Sequence, residues 1–157
     1  MVHLGLQGEA DSIDFAIYLY RKASFLKYPV LNMTNIQKWL YICYGVHLVL
    51  YRKRLLNESP KAWDYGPVFP RVYKAQKKHD NKLNLLQISC SVESLQKHDE
   101  VIDATLDVFG RWSTGGLIEW THEPGKAWDK KFNHGGKYSH MDDLDILFDF
   151  KEIVTHE

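Results

Sequence analysis

The chain has 157 residues, a length that suggests one domain able to bury about two-thirds of the surface of its unfolded chain. Its hydrophobic fraction of 45% and aromatic fraction of 13% argue against long disorder, and the balance of 20 basic against 20 acidic residues disfavours a nucleic-acid partner. We therefore expect one compact domain over residues 1–157, with its core between about residues 12 and 153.

The cysteines and the apolar runs bear on the compartment. Cys43 and Cys90 form no C-x-x-C spacing, which indicates reduced thiols, and Cys43 lies on an apolar helical stripe that makes it a small buried hydrophobe. The N-terminus lacks a basic start followed by a long apolar run, and no segment approaches the ~20 apolar residues of a membrane helix. We expect a cytoplasmic protein with no membrane partner.

Apolar residues at helical spacing predict two helices in the first third of the chain. The first begins with Ser12 as its N-cap and ends near Lys27, since Pro29 disfavours helical geometry in the residue before it. The second is capped by Thr34 or Asn35 and is apolar nearly all round, which is typical of a buried central helix.

Two residues of the second helix, a glycine and a histidine, are unusual within an apolar helix. Gly45 costs about 1 kcal/mol relative to alanine, which predicts that another element packs closely against it. His47 lies within the apolar stripe, and a hydrogen-bonded core histidine is favoured over a catalytic or metal-binding one.

An aromatic, proline-rich corner follows at residues 57–75, N-E-S-P-K-A-W-D-Y-G-P-V-F-P-R-V-Y-K-A. Residues 64–66 read as a sharp turn, and Pro67 reads as the first residue of a third helix that ends near Lys78. A structural corner is favoured over a rigid platform for another protein, so we expect Trp63 to be mainly a core residue.

Short or irregular elements are predicted for the second half. Residues 62–63 form an extended piece that would pair with a short strand or irregular buried segment at residues 83–92. A helix runs from Ser94 or Asp99 to Trp112, and Gly115 with Gly116 interrupts the chain. The remaining predictions are a helical turn at 117–120, a short helix at 126–132, a capping-box-like pair of Ser139 with Asp142, and a final helix from about Met141 to Ile153.

The predicted fold is therefore mainly α. We expect a single compact helical domain of about five to six helices with a minor short β-hairpin or extended pair.

Catalytic and metal-binding patterns fail on inspection, so we expect no enzyme, no cofactor and no metal. His122 and Glu123 start like a zinc-protease motif, but Pro124 would break its helix and Lys126 stands where the second histidine belongs. Acid–base chemistry by His122 and Glu123 remains the one catalytic alternative. A solvated loop that leads to a helix cap explains the densest set of ligand-capable residues, which comprises His134, His140, Asp142 and Asp143.

Three blocks of sequence resemble a known family. They are I-Q-K-W-L-Y-I-C-Y-G-V-H-L at residues 36–48, K-A-W-D-Y-G-P-V-F-P-R-V-Y at residues 61–73 and W-T-H-E-P-G-K-A-W at residues 120–128. In order and spacing they are similar to the Panacea antitoxin domain, the SocA-like or GepA-like phage-associated family, over nearly the whole chain. The departures are modest, and they are Lys61 for an acidic residue, Trp39 for Leu, Val46 for an aromatic residue and Ala127 for Pro.

The resemblance implies a non-catalytic helical domain of mobile elements and prophages. Its implied function is that of an antitoxin that neutralises a toxin from a neighbouring gene by direct protein–protein binding. The alternative is an adaptor or regulatory protein that binds a host protein or delivers a partner to a AAA+ protease. The oligomeric state, including a homo-oligomer, stays open.

The family pattern also marks residues of this chain. Those expected to be structural are Gln37, Gly45, His47, Gly66, Pro67, Val68, Tyr73, Thr121, His122 and Trp128. Rigid aromatic anchors and exposed charges at the corner are the candidates for contact with a partner, namely Lys61, Trp63, Tyr65, Arg71 and Lys74.

Overall fold

The computed structural model describes residues 10–83 and 86–154, which form eight helices and one two-stranded sheet. In chain order the elements are α1 Ser12–Phe25, α2 Met33–Tyr51, β1 Lys61–Trp63, β2 Gly66–Val68, α3 Pro70–Lys78, α4 Val92–Gln96, α5 Asp99–Phe109, α6 Thr114–Thr121, α7 Ala127–Phe132 and α8 Asp143–Val154. The mainly α class with a minor hairpin is confirmed.

The described helices outnumber the five to six expected because two of them escape apolar periodicity. The α4 helix has only five residues, too few to show a repeat. The α6 helix runs through Gly115 and Gly116, which the sequence indicates as an interruption, and it starts where the Ser113 hydroxyl accepts a hydrogen bond from the Gly116 N–H at 3.0 Å.

The α2 helix is the centre of the fold, as its apolar circumference predicts. Helices α1, α5, α6 and α8 and strand β2 all contact it. The Trp39 ring is fully buried, and its Nε1 donates a hydrogen bond to the Phe109 carbonyl oxygen of α5 at 3.1 Å. Cys43 is buried on the same helix, where its thiol donates to the Thr105 hydroxyl at 3.3 Å.

Two predictions for α2 are confirmed. A Cβ atom on Gly45 would lie 2.2 Å from Cδ2 of Phe150, so the glycine permits the close approach of α8. His47 is a buried core histidine, and its Nδ1 donates to the carbonyl oxygen of Lys53 at 2.8 Å.

The N-caps of α1 and α2 lie before the predicted ones. Asp11, not Ser12, caps α1 by accepting hydrogen bonds from the Ile13 and Asp14 N–H groups. The Ser12 hydroxyl instead donates to the Glu58 carboxylate at 2.6 Å. Asn32, not Thr34 or Asn35, caps α2. In both cases a tertiary contact or an earlier acceptor outcompetes the predicted residue.

The third helix begins at Pro70 rather than Pro67. The prediction of proline at the first helical position holds, but for the later of the two prolines. Pro67 belongs to β2, which pairs with β1 as an antiparallel hairpin. The predicted pairing of residues 62–63 with residues 83–92 is therefore wrong. Leu83 and residues 86–91 form no strand, and residues 84 and 85 lie outside the described part of the chain.

The α8 helix is fixed to α2 at its N-terminal end. The Asp143 carboxylate accepts hydrogen bonds from the Tyr44 hydroxyl and the Arg54 Nε, both at 2.7 Å. The expected capping box is wrong, because Asp142 accepts from the Leu144 N–H while the Ser139 hydroxyl donates to the Gly136 carbonyl oxygen.

Candidate partner-binding surface

The hairpin of β1 and β2 projects a two-residue turn, Asp64 and Tyr65, from the helical body. Its register pairs Lys61 with Val68, Ala62 with Pro67 and Trp63 with Gly66. Gly66 has φ of 109°, a conformation that residues with a Cβ rarely adopt. The turn leaves Tyr65 69% exposed on a backbone paired on both sides of it.

The free edge of β1 is also covered. The Ala62 N–H donates to the Ser139 carbonyl oxygen at 3.0 Å, and the Ala62 carbonyl oxygen accepts from the Tyr138 N–H at 2.8 Å. The Tyr138 hydroxyl in turn donates to the Asp64 carboxylate at 2.9 Å. The hairpin is thus held along both edges of its first strand, which limits the motion of the turn.

Two side chains of α2 form hydrogen bonds with the backbone of β2 and of the residue after it. The Gln37 amide oxygen accepts from the Phe69 N–H at 2.7 Å, and the Lys38 Nζ donates to the Pro67 carbonyl oxygen at 2.9 Å. Both side chains are buried. A buried backbone group needs such a partner, so α2 determines where β2 ends and α3 begins.

Lys38 is unusual because its side chain is only 1% exposed and no carboxylate pairs with it among residues 10–83 and 86–154. Burial lowers the pKa of the Lys38 ammonium to about 7. Sequence reasoning missed this residue. The available signal was a lysine within a helix that is otherwise apolar on almost every side.

The third sequence block closes the base of the hairpin. A Cβ on Gly66 would lie 2.6 Å from the Thr121 hydroxyl oxygen and 2.9 Å from Cε of Lys38, so only glycine fits. The His122 ring stacks on Trp128 with centroids 3.7 Å apart, and the Trp128 Nε1 donates to the Trp63 carbonyl oxygen at 2.8 Å. Three blocks distant in sequence therefore meet at one hairpin.

The expected partner-binding residues differ in their availability. Tyr65 and Lys74 are exposed, whereas Lys61 and Trp63 are half-buried. Trp63 is less of a core residue than the sequence predicts, because its ring packs edge-on against Tyr73 at 4.9 Å near the surface. We call Lys61, Trp63, Tyr65 and Lys74 the hairpin surface.

Arg71 lies in the same region but its guanidinium is already bound within the chain. It contacts the Asp11 carboxylate at 2.8 Å, the Asn57 side-chain oxygen at 2.8 Å and the Ser12 hydroxyl at 3.0 Å. These contacts connect the start of α3 to the start of α1. Its charge is accordingly less available to a partner than that of Lys74.

The acid–base pair of His122 and Glu123, the one catalytic alternative, is not assembled in the described structure. The His122 Nε2 is buried and has no hydrogen-bond partner there, while the Glu123 carboxylate lies 3.8 Å from the Lys126 Nζ. Burial first, and the Lys38 charge second, lower the pKa of the His122 imidazole.

Metal-ligand geometry is likewise not found among the described residues, where no group of three or more His, Cys, Asp or Glu could hold an ion. Of the densest ligand-capable set, His140 is bonded to the Ser59 hydroxyl at 2.8 Å and Asp143 to Tyr44 and Arg54. Within residues 10–83 and 86–154, no helix is long and apolar enough to cross a membrane.

The amino-acid sequence is similar to that of a known family and of a known protein. The profile of the family described as "Antitoxin SocA-like, Panacea domain" matches residues 36–129, a stretch that contains all three sequence blocks. The chain is 32% identical over 137 residues to the protein named Antitoxin SocA from Caulobacter vibrioides (strain NA1000 / CB15N), covering 80% of this chain and 72% of that one. No solved structure matches. The chain belongs to the SocA-like antitoxin family that carries the Panacea domain.

Proposed function

We propose that this protein neutralises a toxin encoded beside it by direct contact through the hairpin surface. Membership in the family supports an antitoxin role and a non-catalytic one. The observation that carries the proposal is the rigid support of Tyr65. Its turn is fixed by backbone pairing and by buried side chains of α2, yet the side chain itself is 69% exposed.

The physical reason is preorganisation. An aromatic side chain on a fixed backbone loses little entropy on binding, and such residues supply the largest share of binding energy in protein interfaces. Lys61 and Lys74 give the hairpin surface two positive charges, and such charges favour an acidic patch on the partner.

The proposal is tested by co-expression with the product of the adjacent gene. We expect restored growth of the host and a complex that co-purifies. The toxin's half-life should stay unchanged, because neutralisation by contact needs no proteolysis. Restored growth with a shortened half-life would instead indicate delivery to a protease, and no complex with no restored growth would refute the antitoxin function.

The hairpin surface itself is tested by Tyr65→Ala. We expect the toxin affinity to fall at least about 30-fold, as for an anchor worth about 2 kcal/mol, with the free energy of unfolding nearly unchanged because the ring is exposed. The matched control is Phe25→Ala on the last turn of α1, an aromatic residue that is 84% exposed and outside the hairpin surface. Calorimetric titration of both variants decides: equal affinities would place the contact elsewhere.

A further inference from the structure

A cavity of about 200 Å³ lies between α2, α6 and α8, apart from the hairpin surface. Its aromatic walls are Tyr41, Trp120 and Phe150, one from each helix. Phe150 packs edge-on against the other two, with centroids 5.4 and 5.8 Å away. Since a water molecule takes about 30 Å³ in the liquid, the cavity has room for a planar group of several heavy atoms.

The charged side chains that line this cavity are mostly acidic. They comprise the carboxylates Glu123, Asp149 and Glu152 and the single ammonium of Lys126. The Lys126 Nζ lies 3.8 Å from Glu123 and 3.9 Å from Glu152, separations too long for strong hydrogen bonds. The excess of negative charge favours a cation as the occupant.

Asp149 is the carboxylate nearest the interior. Its Oδ2 accepts from the Ala127 N–H at 2.6 Å, and its Oδ1 accepts no hydrogen bond from the rest of the described chain. Burial raises the pKa of the Asp149 carboxyl because it disfavours the charged form. A cation bound beside the carboxylate would favour the charged form again.

Tyr41 is the second and independent observation. The residue is 3% exposed and lines the cavity, but its hydroxyl forms no hydrogen bond with any residue in 10–83 or 86–154. Since Tyr41 lines the cavity, its hydroxyl is available there as a donor and acceptor for a bound group. Burial, and then the charges of Asp149 and Asp145, raise the pKa of the Tyr41 phenol, so the hydroxyl keeps its proton at neutral pH.

We propose that this cavity receives an arginine side chain presented by a partner protein. A guanidinium group is planar, stacks on aromatic faces, and carries enough donors to bond the free Asp149 oxygen and the Tyr41 hydroxyl together. A lysine ammonium fits less well, because it is strongly hydrated and the walls are aromatic. This inference rests on the proposed function only in taking a protein as the partner.

The test needs no toxin. The probe is Nα-acetyl-arginine methylamide, titrated into the isotope-labelled protein while NMR follows the indole N–H of Trp120. We expect saturable shifts at Trp120, and binding at least about tenfold weaker for the uncharged citrulline analogue, which lacks the ion pair. Equal shifts with both probes, or none at Trp120, would refute the proposal.

A single-atom variant separates the site from general charge effects. Tyr41→Phe should weaken the arginine probe about three- to tenfold without lowering the urea midpoint, because the hydroxyl has no partner in the described chain to lose. Glu119→Gln is the control, since Glu119 is exposed on α6 and does not line the cavity. An unchanged affinity in Tyr41→Phe would refute the site. Failure of the toxin to bind the hairpin surface would leave this titration unaffected, so the two proposals fail separately.

Discussion

Lys38 shows how one residue links folding to the hairpin surface. Its Nζ donates to the Pro67 carbonyl oxygen, and its charge adds to the effect of burial in lowering the pKa of His122 at the end of α6. A buried ammonium without a carboxylate is costly, so the neutral amine is favoured in the fold. The unfolded chain has the ordinary lysine pKa of about 10.4.

This difference makes the stability depend on pH. Between pH 7 and about 10 the unfolded chain binds a proton at Lys38 that the folded chain releases, so the free energy of unfolding rises with pH. The slope should approach about 1.4 kcal/mol per pH unit above pH 7.5. Below pH 7 both states are protonated and this contribution is flat. The measurement is urea unfolding at several values from pH 6 to pH 8.5.

Lys38→Met isolates the effect. The lost hydrogen bond to Pro67 changes the stability by an offset that does not vary with pH, so the pH dependence of the difference between wild type and variant gives the contribution of the Lys38 charge, including its effect on His122. Measurements stop at pH 8.5 because of the Cys43 thiol, whose pKa burial raises to about 12. At higher pH the thiol ionises in the unfolded state before it does so in the folded state, and this lowers the free energy of unfolding. Parallel pH profiles for the two proteins would show that Lys38 keeps its ordinary pKa.

At the scale of elements, the sequence predicts what local chemistry determines. The α2 helix, the Gly45 contact and the core position of His47 follow from apolar periodicity and glycine cost, and all are observed. The start of α3 does not follow, because two prolines stand three residues apart and each suits a first helical position. The choice is made by Gln37 and Lys38, which hold β2 from a helix some thirty residues earlier.

The sequence likewise predicts only some of the residues of the candidate surface. Tyr65 and Lys74 are exposed, as expected for contact residues. Their exposure can be predicted because it depends on the turn and on the polar face of a helix, which neighbouring residues in the sequence indicate. Arg71 could not be assigned locally, since its three partners lie on the start of α1 and the segment before β1. Long-range hydrogen bonds of this kind leave no periodic signal in the sequence.

The anchoring of α3 by Gln37 can be tested directly. Gln37→Leu keeps the size of the side chain but leaves the N–H and C=O of Phe69 and the Gln76 side-chain oxygen without their partner. We expect a loss of roughly 2–4 kcal/mol in the free energy of unfolding and faster amide exchange in α3. Gln87→Leu, on an exposed glutamine, is the control for the substitution itself. A loss no larger than in that control would mean that α3 is held by other contacts.

At the scale of the molecule, the family match and the folded core do not have the same limits. The match ends at residue 129, whereas α8 begins at Asp143 and packs on α2. Phe150 fills the space above Gly45 and borders Tyr41 and Trp120, so it joins three helices and forms one wall of the cavity. We infer that α8 belongs to the same cooperative unit as the matched stretch.

The chain offers a matched pair for testing that inference, because α8 carries two phenylalanines of opposite burial. Phe150 is fully buried and Phe148 is 70% exposed, while their residue type and helix are the same. Phe150→Ala should cost about 3–5 kcal/mol, since it leaves a cavity over Gly45 that rigid helices cannot fill, whereas Phe148→Ala should change stability by less than about 0.5 kcal/mol. Urea unfolding followed by both tryptophan fluorescence and far-UV circular dichroism gives the two free energies. If α8 and the matched stretch form one unit, the two probes coincide for wild type and both variants. Separate transitions, or equal costs for the two substitutions, would show that α8 folds independently of the rest of the core.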